Sequence, residues 1–171
     1  LYGFGVDARS ESALKQLNII KGRTGPMSVI APDVNTILTW ADISYQDWEL
    51  VKKFLRGPTT IILPVKKGIV HPLILGKDGT LGIRIPSHSF GPNLTGKLGF
   101  PITTTSVNKT NESPLNNPND VINKFDGEFD LLIDDGKLPG SKASTIYKLE
   151  KSNLTVIRRW NIFYHLYYFL Q

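Results

Sequence analysis

Short runs of β-branched and apolar residues alternate with helix-like segments in this chain, and that alternation constrains its fold more than any other feature. The run at 27–31 ends at Pro32, and the run at 59–65 follows a Gly-Pro break. Further runs of this kind stand at 82–86, 102–105, 130–134, 146–150 and 155–157. Because such runs, bounded by turn residues, are typical of strands, and helical segments separate them irregularly, we predict an α/β fold with a twisted, mixed and largely open sheet.

The helical segments between these strands carry recognisable ends. Ser10 is the expected N-cap of a helix over residues 10–20, and Gly22 is the expected break after it. Residues 87–99 should form only a short or irregular helix, because glycine and proline interrupt them. The other predicted helices lie at 33–40, at 45–55 behind the cap Ser44, and at 118–125 with Pro118 in first position.

Length and charge fit one globular domain that favours anionic partners. The chain has 171 residues, of which 40% are apolar and 20% are charged, and its net charge is +5. This length is enough for a real core. The positive charge favours nucleotides, RNA or phosphate as partners, although an ordinary basic surface gives the same count.

Cysteine usage and hydropathy argue against several classes of protein. The absence of cysteine excludes disulfides, a thiol nucleophile and thiolate metal sites, and it is compatible with the cytosol. No apolar run reaches the roughly 18–20 residues that span a membrane, and no signal peptide is visible, so we expect a cytoplasmic protein without membrane association. The sequence also offers no Ser/His/Asp arrangement and no histidine pair at metal spacing, so covalent catalysis and a protein-held metal are not expected.

A hydroxyl and a carboxamide stand two residues apart after the predicted strand 102–105. In an extended segment, residues i and i+2 point to the same side, so Ser106 and Asn108 should be aimed together beyond the strand end. Open α/β sheets usually hold their ligands there. A Ser/Thr/Asn run after a strand also commonly forms a turn that hydrogen-bonds to itself, and both interpretations stay open.

Three cations stand at the ends of predicted elements. Lys21 and Arg23 either complement the dipole of the preceding helix or project into a cleft and hold a polyphosphate, with arginine as a planar fork and lysine as a point charge. Arg84 lies between two isoleucines on a predicted strand, so its charge needs a partner. That partner is either an acidic residue of this chain or an anionic ligand.

Two glycine-containing turns have both a structural and a functional interpretation. Gly3 and Gly5 predict a turn into the first helix, where a phosphate could approach the backbone, although such glycines more often only form the turn. The Asp-Asp-Gly sequence at 134–136 could supply a base or metal ligands, but it is mainly typical of a turn.

Five stretches of the sequence, taken in order, resemble the YrdC/YciO-like family. They are Leu1-Tyr-Gly-Phe-Gly-Val-Asp-Ala8, Lys21-Gly-Arg23, Gly82-Ile-Arg-Ile-Pro86, Ser106-Val-Asn108, and Ser144-Thr-Ile-Tyr147 behind the Asp-Asp-Gly turn. The resemblance covers about residues 1–160 and leaves 161–171 as an aromatic tail. In the family a further strand precedes the first stretch, and we expect it to be missing upstream of Leu1. The resemblance implies a single YrdC-like domain with a large basic concave site.

The best-known members of this family are threonylcarbamoyl-adenylate synthases. The resemblance therefore implies L-threonine, bicarbonate or CO₂, and ATP as substrates, with Mg²⁺ carried mainly on the phosphates. The products would be threonylcarbamoyl-adenylate and pyrophosphate, and a downstream transferase would use the adenylate to modify transfer RNA. Cations, hydroxyls and an amide suit such an adenylyl transfer, because the protein then only positions reactants and neutralises phosphate charge.

The resemblance also implies roles for individual residues. Lys21 and Arg23 would be the catalytic pair that holds the phosphates. The residues that would bind the nucleotide or the other substrate are Ser106, Asn108, Ser144, Arg158 and Arg84. Among them, Arg158 would close the site, and Arg84 would contact a phosphate or the substrate carboxylate.

Departures from the family keep other interpretations open. Trp160 stands where the family has the glycine of its closing Arg-x-Gly, and residues 109–112 replace a glycine-bearing turn after Ser-x-Asn. A YciO-like module that binds RNA or a nucleotide without making the adenylate would carry the same motifs. The tail at 161–171 could pack on the domain, associate with a second copy, or dock a partner.

Overall fold

The computed structural model describes residues 1–55, 57–140 and 144–159, so the predicted aromatic tail lies outside the described residues. The strands are β1 (Gly3–Phe4), β2 (Ser28–Ile30), β3 (Thr59–Pro64), β4 (Thr80–Arg84), β5 (Ile102–Ser106), β6 (Thr145–Glu150) and β7 (Asn153–Arg158). The helices are α1 (Glu11–Lys21), α2 (Val34–Trp40), α3 (Tyr45–Val51), α4 (Phe90–Leu98) and α5 (Pro118–Phe125). None of these helices is long and apolar enough to cross a membrane.

The strands form one mixed sheet in the order β1-β5-β2-β4-β3-β6-β7. β2 pairs in parallel with β4, and β3 pairs in parallel with β6, whereas the other neighbours are antiparallel. The predicted fold class, a mixed open sheet with helices packed on it, is therefore confirmed. The basic concave site that was expected with this fold stays a prediction.

The two faces of the sheet differ in chemistry, because successive residues of a strand point to opposite sides. One face carries Val29, Ile61 and Ile83, each 0% exposed, which join Leu14 and Leu17 of α1 in the hydrophobic core. The opposite face is hereafter called the open face. Between its apolar positions it carries small or polar residues, namely Ser28, Thr60, Gly82, Thr104 and Ser106.

Helix α1 begins and ends where the sequence predicts. The hydroxyl of Ser10 accepts a hydrogen bond from the N–H of Ala13 at 3.3 Å, which satisfies one donor of the first turn. Gly22 then ends the helix with a φ of 63°, a left-handed conformation that glycine adopts without strain. The cap places Lys21 in the last position of the helix, beside the end of β5.

Helix α4 is regular over nine residues, although the sequence predicted a short or irregular helix there. Pro92 lies in the first turn, where an N–H has no intrahelical acceptor, so the proline removes no helix hydrogen bond. Gly91 contacts Ile30 so closely that an added Cβ would lie 2.9 Å from its Cδ1. The glycine therefore allows α4 to pack over the end of β2 on the open face.

The predicted turn from Gly3 and Gly5 into the first helix is wrong. Gly3 belongs to β1, which pairs with β5, and α1 begins only at Glu11. A Cβ on Gly5 would lie 2.9 Å from the Cγ2 of Ile102, so this glycine permits close packing of two chain segments. It is not placed at a helix start where a phosphate could bind.

The predicted strand at 130–134 is also wrong. This segment lies outside the sheet, and its alternating apolar side chains are exposed, with Leu131 at 75% and Ile133 at 48%. The pattern resembled a strand, but no strand of the described sheet pairs with it. The following Asp-Asp-Gly does form a turn, in which the N–H of Gly136 donates to Asp134 Oδ1 at 2.8 Å.

Candidate functional site

Three of the predicted site residues meet at the junction of α1 and β5. The ammonium of Lys21 donates to the backbone oxygen of Ser106 at 2.7 Å and to Asn108 Oδ1 at 3.1 Å. The hydroxyl of Ser106 also donates to Asn108 Oδ1. We call Lys21, Ser106 and Asn108 the lysine cluster. Because Nζ points into this loop, the simple interpretation of Lys21 as a complement to the helix dipole does not account for its position.

Asn108 uses all of its hydrogen-bonding capacity inside the protein. Its Oδ1 accepts from Lys21 and Ser106, and its Nδ2 donates to the carbonyl oxygens of Lys109 at 2.8 Å and Glu112 at 2.9 Å. A carboxamide has two donor hydrogens and two acceptor lone pairs, so none is left for a ligand. The segment is therefore a turn that hydrogen-bonds to itself, which is one of the two interpretations left open, and the contact of this segment with a ligand stays a prediction.

Burial makes the charge of Lys21 sensitive to its surroundings. The residue is only 3% exposed, and burial lowers the pKa of its ammonium to about 8. The positive charge of Arg23 contributes to this lowering of the pKa, whereas the carboxylate of Glu112 opposes it. An anion bound beside Lys21 would stabilise the protonated form, because opposite charges raise the pKa of a cation.

Two further arginines, Arg23 close to Lys21 and Arg84 on β4, have no counter-charge among the described residues. Within the part of the chain that the structure describes, no side-chain hydrogen bond or ion pair involves the guanidinium of Arg23 or that of Arg84. Arg84 is half-buried, its Nε is buried without a hydrogen-bond partner, and burial lowers its pKa. The predicted acidic partner of Arg84 is therefore not found among the described residues. A half-buried cation without a partner is costly, so this position favours an anionic ligand.

The remaining predicted site residues, Ser144 and Arg158, meet at the far side of the sheet. Ser144 Oγ lies 2.8 Å from the hydroxyl of Thr60, and its carbonyl oxygen accepts from Arg158 Nε at 3.3 Å and Nη2 at 3.2 Å. Four strand spacings separate β5 from β6, which places the lysine cluster roughly 19 Å from Ser144 along the sheet. The structure thus divides the predicted residues between two ends of the open face.

A cleft of about 420 Å³ lies over the open face and extends from β2 to β7. Its lining is largely apolar and comprises Pro26, Met27, Ser28, Thr60, Ile62, Gly76, Lys77, Thr80, Gly82, Ile146, Lys148 and Ile157. A Cβ on Gly82 would lie 3.1 Å from Ser28 Cβ and 3.4 Å from Thr60 Cγ2, so glycine forms the floor. Lys77 supplies positive charge to the lining, whereas Lys148 is ion-paired with Glu150.

The floor of the cleft was not recognised from the sequence. Ser28, Thr60 and Gly82 each sit one residue away from a buried apolar residue of the same strand. Small residues at alternate positions of adjacent strands indicate a face that is not filled by side chains, and that pattern could have revealed them. The pattern becomes informative only when the strand order is known.

Tyr2 is a further residue that the sequence did not single out. Its hydroxyl donates to the carbonyl oxygen of Gly136 at 2.8 Å, accepts from the N–H of Asp135 at 2.9 Å, and lies 3.3 Å from Asp134 Oδ1. The Asp-Asp-Gly turn is thus tied to the N-terminal segment. Among the described residues no group of three or more acidic or histidine side chains could hold a metal ion.

The matching family model and two curated relatives point to the same protein family. The family model for Sua5, YciO and YrdC proteins, described as "Telomere recombination", matches residues 1–159. The chain is 36% identical over 160 residues to a putative threonylcarbamoyl-AMP synthase of Methanocaldococcus jannaschii, which covers 92% of this chain and 74% of the relative. It is 31% identical over 140 residues to a threonylcarbamoyl-AMP synthase of Idiomarina loihiensis, which covers 79% and 75%.

The fold also matches a solved structure that contains a small ligand. The structure of P. abyssi Sua5 complexed with L-threonine has a TM-score of 0.79 and 27% sequence identity, over 92% of this chain and 47% of that chain. This chain therefore spans about half of the P. abyssi protein. On the extent of the family match and the identity to its members, the chain belongs to the Sua5/YciO/YrdC family.

Proposed function

We propose that this chain is an L-threonylcarbamoyladenylate synthase. It would make threonylcarbamoyl-AMP and pyrophosphate from ATP, L-threonine and bicarbonate or CO₂. The relatives from M. jannaschii and I. loihiensis carry the name of this enzyme, the former as putative, and the P. abyssi Sua5 structure holds L-threonine. The observation that carries the proposal is the lysine cluster, which fixes a buried cation at one end of the open face. Arg23 lies beside it and has no side-chain partner among the described residues.

The proposed reaction needs positioning and charge neutralisation more than it needs a protein nucleophile. The neutral amine of threonine adds to CO₂ and releases one proton to solvent, which gives a carbamate, and a carbamate oxygen attacks the α-phosphorus of ATP. The bond between the α-phosphorus and the bridging oxygen breaks, and pyrophosphate leaves with the electron pair. Cations held in a partly dry site stabilise the negative charge that develops on the phosphates. Lysine and arginine, already in place, meet this requirement.

Lys21 and Arg23 would hold the phosphates. The ammonium of Lys21 has three donors, and the loop uses two of them, so one N–H stays available for a phosphate oxygen. Arg23 brings a planar fork that fits two phosphate oxygens at once. Asn108 would act by holding Lys21 and Ser106 in position, and Mg²⁺ would enter with the phosphates of ATP as part of the substrate.

Arg84 would receive an anionic group of the second substrate. It lies on the open face in the same strand as Gly82, and its buried Nε has no partner in the described structure. The carboxylate of L-threonine would satisfy a guanidinium with two parallel hydrogen bonds. A phosphate oxygen would also satisfy it, and the two assignments differ in which substrate loses affinity when Arg84 is replaced.

The cleft over Gly82 would hold the adenosine. Its apolar walls, which include Met27, Ile62 and Ile146, suit a planar aromatic base, and a glycine floor lets such a ring lie close to the sheet. Ser144, hydrogen-bonded to Thr60 at the edge of this cleft, would orient the nucleotide, and Arg158 would close the site. Lys77 would add positive charge to the wall.

The proposed product, threonylcarbamoyl-AMP, is an activated mixed anhydride that hydrolyses in water. A transferase that moves the threonylcarbamoyl group to transfer RNA must therefore consume it. The net charge of +5 is compatible with RNA as a further partner. These partners and the expected cytoplasmic location belong to the proposal.

Pyrophosphate release tests the proposal. The chain is incubated with ATP and Mg²⁺, and L-threonine and bicarbonate are added singly and together. Release that requires both is expected, and it should fall to background in Lys21→Ala and Arg23→Ala. Lys97→Ala is the matched control, because Lys97 is an exposed lysine in the last turn of α4, near the helix-ending Gly99.

A YciO-like binding module is the alternative that the same experiment separates. Its affinity for ATP or RNA would not depend on threonine, and its affinity for RNA would fall steeply as the salt concentration rises. No pyrophosphate release from a folded chain that still binds ATP would establish this alternative.

A further inference from the structure

One loop contacts both the side-chain ammonium and the backbone carbonyl of Lys21. The ammonium is held by Ser106 and Asn108, at 2.7 and 3.1 Å. The carbonyl oxygen of the same lysine accepts two hydrogen bonds from Thr110, one from the backbone N–H at 3.1 Å and one from Oγ1 at 2.9 Å. Residues 106–110 therefore fix the whole length of the lysine, from its backbone to its charge.

The carbonyl of Lys21 is a group that α1 cannot satisfy by itself. The last four carbonyls of an α-helix have no intrahelical N–H partner. In a continuing helix the N–H of Gly25 would donate to the carbonyl of Lys21, but the helix ends at the left-handed Gly22. Thr110 donates to that carbonyl instead. Because this carbonyl shares a peptide plane with the N–H of Gly22, fixing it also fixes where the chain turns toward Arg23.

The turn after Asn108 is built to present Thr110. Lys109 offers its carbonyl oxygen to the N–H of Glu112 at 3.1 Å, and Glu112 forms an ion pair with Lys124 of α5. Asn111 adopts a φ of 71°, in the left-handed region that asparagine tolerates better than most residues. The segment at 109–112 thus closes a tight turn without the glycine that the family resemblance led us to expect.

We infer that Thr110 is a positioning residue, whose hydroxyl fixes the Lys21 peptide and thereby the direction of both Lys21 and Arg23. The assignment of that pair to the phosphates of ATP rests on the proposed function, but the positioning itself does not. Thr110 is exposed and, within the described part of the chain, hydrogen-bonds only to backbone, so it has no role in the hydrophobic core. Its substitution should therefore leave the fold intact.

The first test uses two variants of Thr110 and a matched control. Thr110→Val removes the hydroxyl and keeps the branched shape, whereas Thr110→Ser keeps the hydroxyl. Thr39→Val is the control, because Thr39 is an exposed threonine whose Oγ1 donates to the backbone oxygen of Thr36 at 2.8 Å, on a different helix. We expect Thr110→Val to raise the KM for ATP about fivefold with a smaller change in kcat, which is the size of one lost hydrogen bond. Thr110→Ser and Thr39→Val should match the unmodified chain.

The second test does not require any enzymatic activity. The ¹⁵Nζ resonance of Lys21, identified by its loss in Lys21→Met, is titrated with pH in the chain without ATP. The charged groups that set this titration are Arg23 and Glu112, and burial lowers the pKa to about 8. Thr110→Val should move the midpoint toward that of an ordinary lysine, because a looser backbone lets the ammonium reach water, and Thr110→Ser should restore it.

These two readouts distinguish failure of the inference from failure of the proposed function. An unmodified chain that releases no pyrophosphate contradicts the proposed function, and the titration still decides the role of Thr110. An unchanged midpoint and an unchanged KM in Thr110→Val would overturn the inference. So would a loss in Thr110→Ser or Thr39→Val equal to that in Thr110→Val, because a general disturbance of the chain would then explain all three.

Discussion

Lys21 Nζ lies 3.1 Å from Asn108 Oδ1, although 87 residues separate the two in the chain. The lysine ends α1, and the asparagine follows β5, so their contact depends on how the helix packs beside the sheet. The contact places a cation where almost no solvent reaches it, with Lys21 3% exposed and Asn108 7% exposed. A charge held in this way is preorganised, so the protein would need little rearrangement to bind an anion there.

The binding of ATP should weaken as the pH rises through 8. Burial, together with the charge of Arg23, lowers the pKa of Lys21 to about 8, so the ammonium is charged well below that pH and loses its charge as the pH rises through it. We expect kcat/KM for ATP to fall above pH 8, and kcat to fall only at higher pH, because bound phosphate favours the protonated lysine. Initial rates measured from pH 6.5 to pH 10 would show the two midpoints. Lys21→Arg keeps its charge throughout, and a fall at the same pH in that variant would contradict the assignment to Lys21.

Replacing Asn108 should weaken nucleotide binding without removing any ligand contact. Asn108→Ala leaves the ammonium of Lys21 and the carbonyls of Lys109 and Glu112 without their side-chain partner, which should lower the free energy of unfolding by about 1–3 kcal/mol. Asn108→Asp should place a negative charge beside Lys21 and raise its pKa. ATP affinity, measured by calorimetry, should fall in both variants. Unchanged affinity in Asn108→Asp would show that the charge of Lys21 does not serve the phosphates.

Replacing Arg84 should separate stability from function. Arg84→Met removes a half-buried cation that has no counter-charge among the described residues, so the melting temperature should stay the same or rise. The KM for L-threonine should rise about tenfold or more, because a charged hydrogen-bond donor is lost. Thermal unfolding and steady-state kinetics measure the two effects. A rise in the KM for ATP alone would move Arg84 from the threonine carboxylate to a phosphate.

Gly82 should control access to the cleft. Gly82→Ala adds a Cβ at 3.1 Å from Ser28 Cβ, which narrows the floor on which we place the adenine ring. We expect ATP affinity to fall about tenfold while L-threonine still binds, because overpacking costs roughly 1–3 kcal/mol. Gly140→Ala is the matched control, since a Cβ there would meet no atom within 4 Å. Equal affinities in the two variants would place the base elsewhere.

Local features of this fold could be predicted because they depend on neighbouring residues. The cap at Ser10, the left-handed Gly22 and the first-turn Pro118 each act within one turn of helix, and the structure contains all three. The strand at 130–134 was predicted wrongly for the opposite reason. An alternating pattern cannot show whether another strand edge is available to pair with it.

The candidate site could be predicted only in part for the same physical reason. The sequence identified three site residues, Lys21, Ser106 and Asn108. It could not show that Asn108 forms all four of its side-chain hydrogen bonds within the protein. Those hydrogen bonds depend on the carbonyl of Glu112 and on the ammonium of Lys21, which belongs to a helix distant in sequence. The roles of Thr110 and Gly82 depend on the packing of α1 and on the order of the strands, neither of which any short motif contains.

The most direct test of the central claim is the detection of the adenylate itself. The chain, extended by any native upstream residues, is mixed with ATP, Mg²⁺, L-threonine and ¹³C-bicarbonate, quenched rapidly and examined by mass spectrometry. We predict an adenylate of threonine that carries one ¹³C atom and is missing from Lys21→Ala but present in Lys97→Ala. A folded chain that binds ATP and L-threonine and yet forms no labelled adenylate would contradict the proposed synthase function.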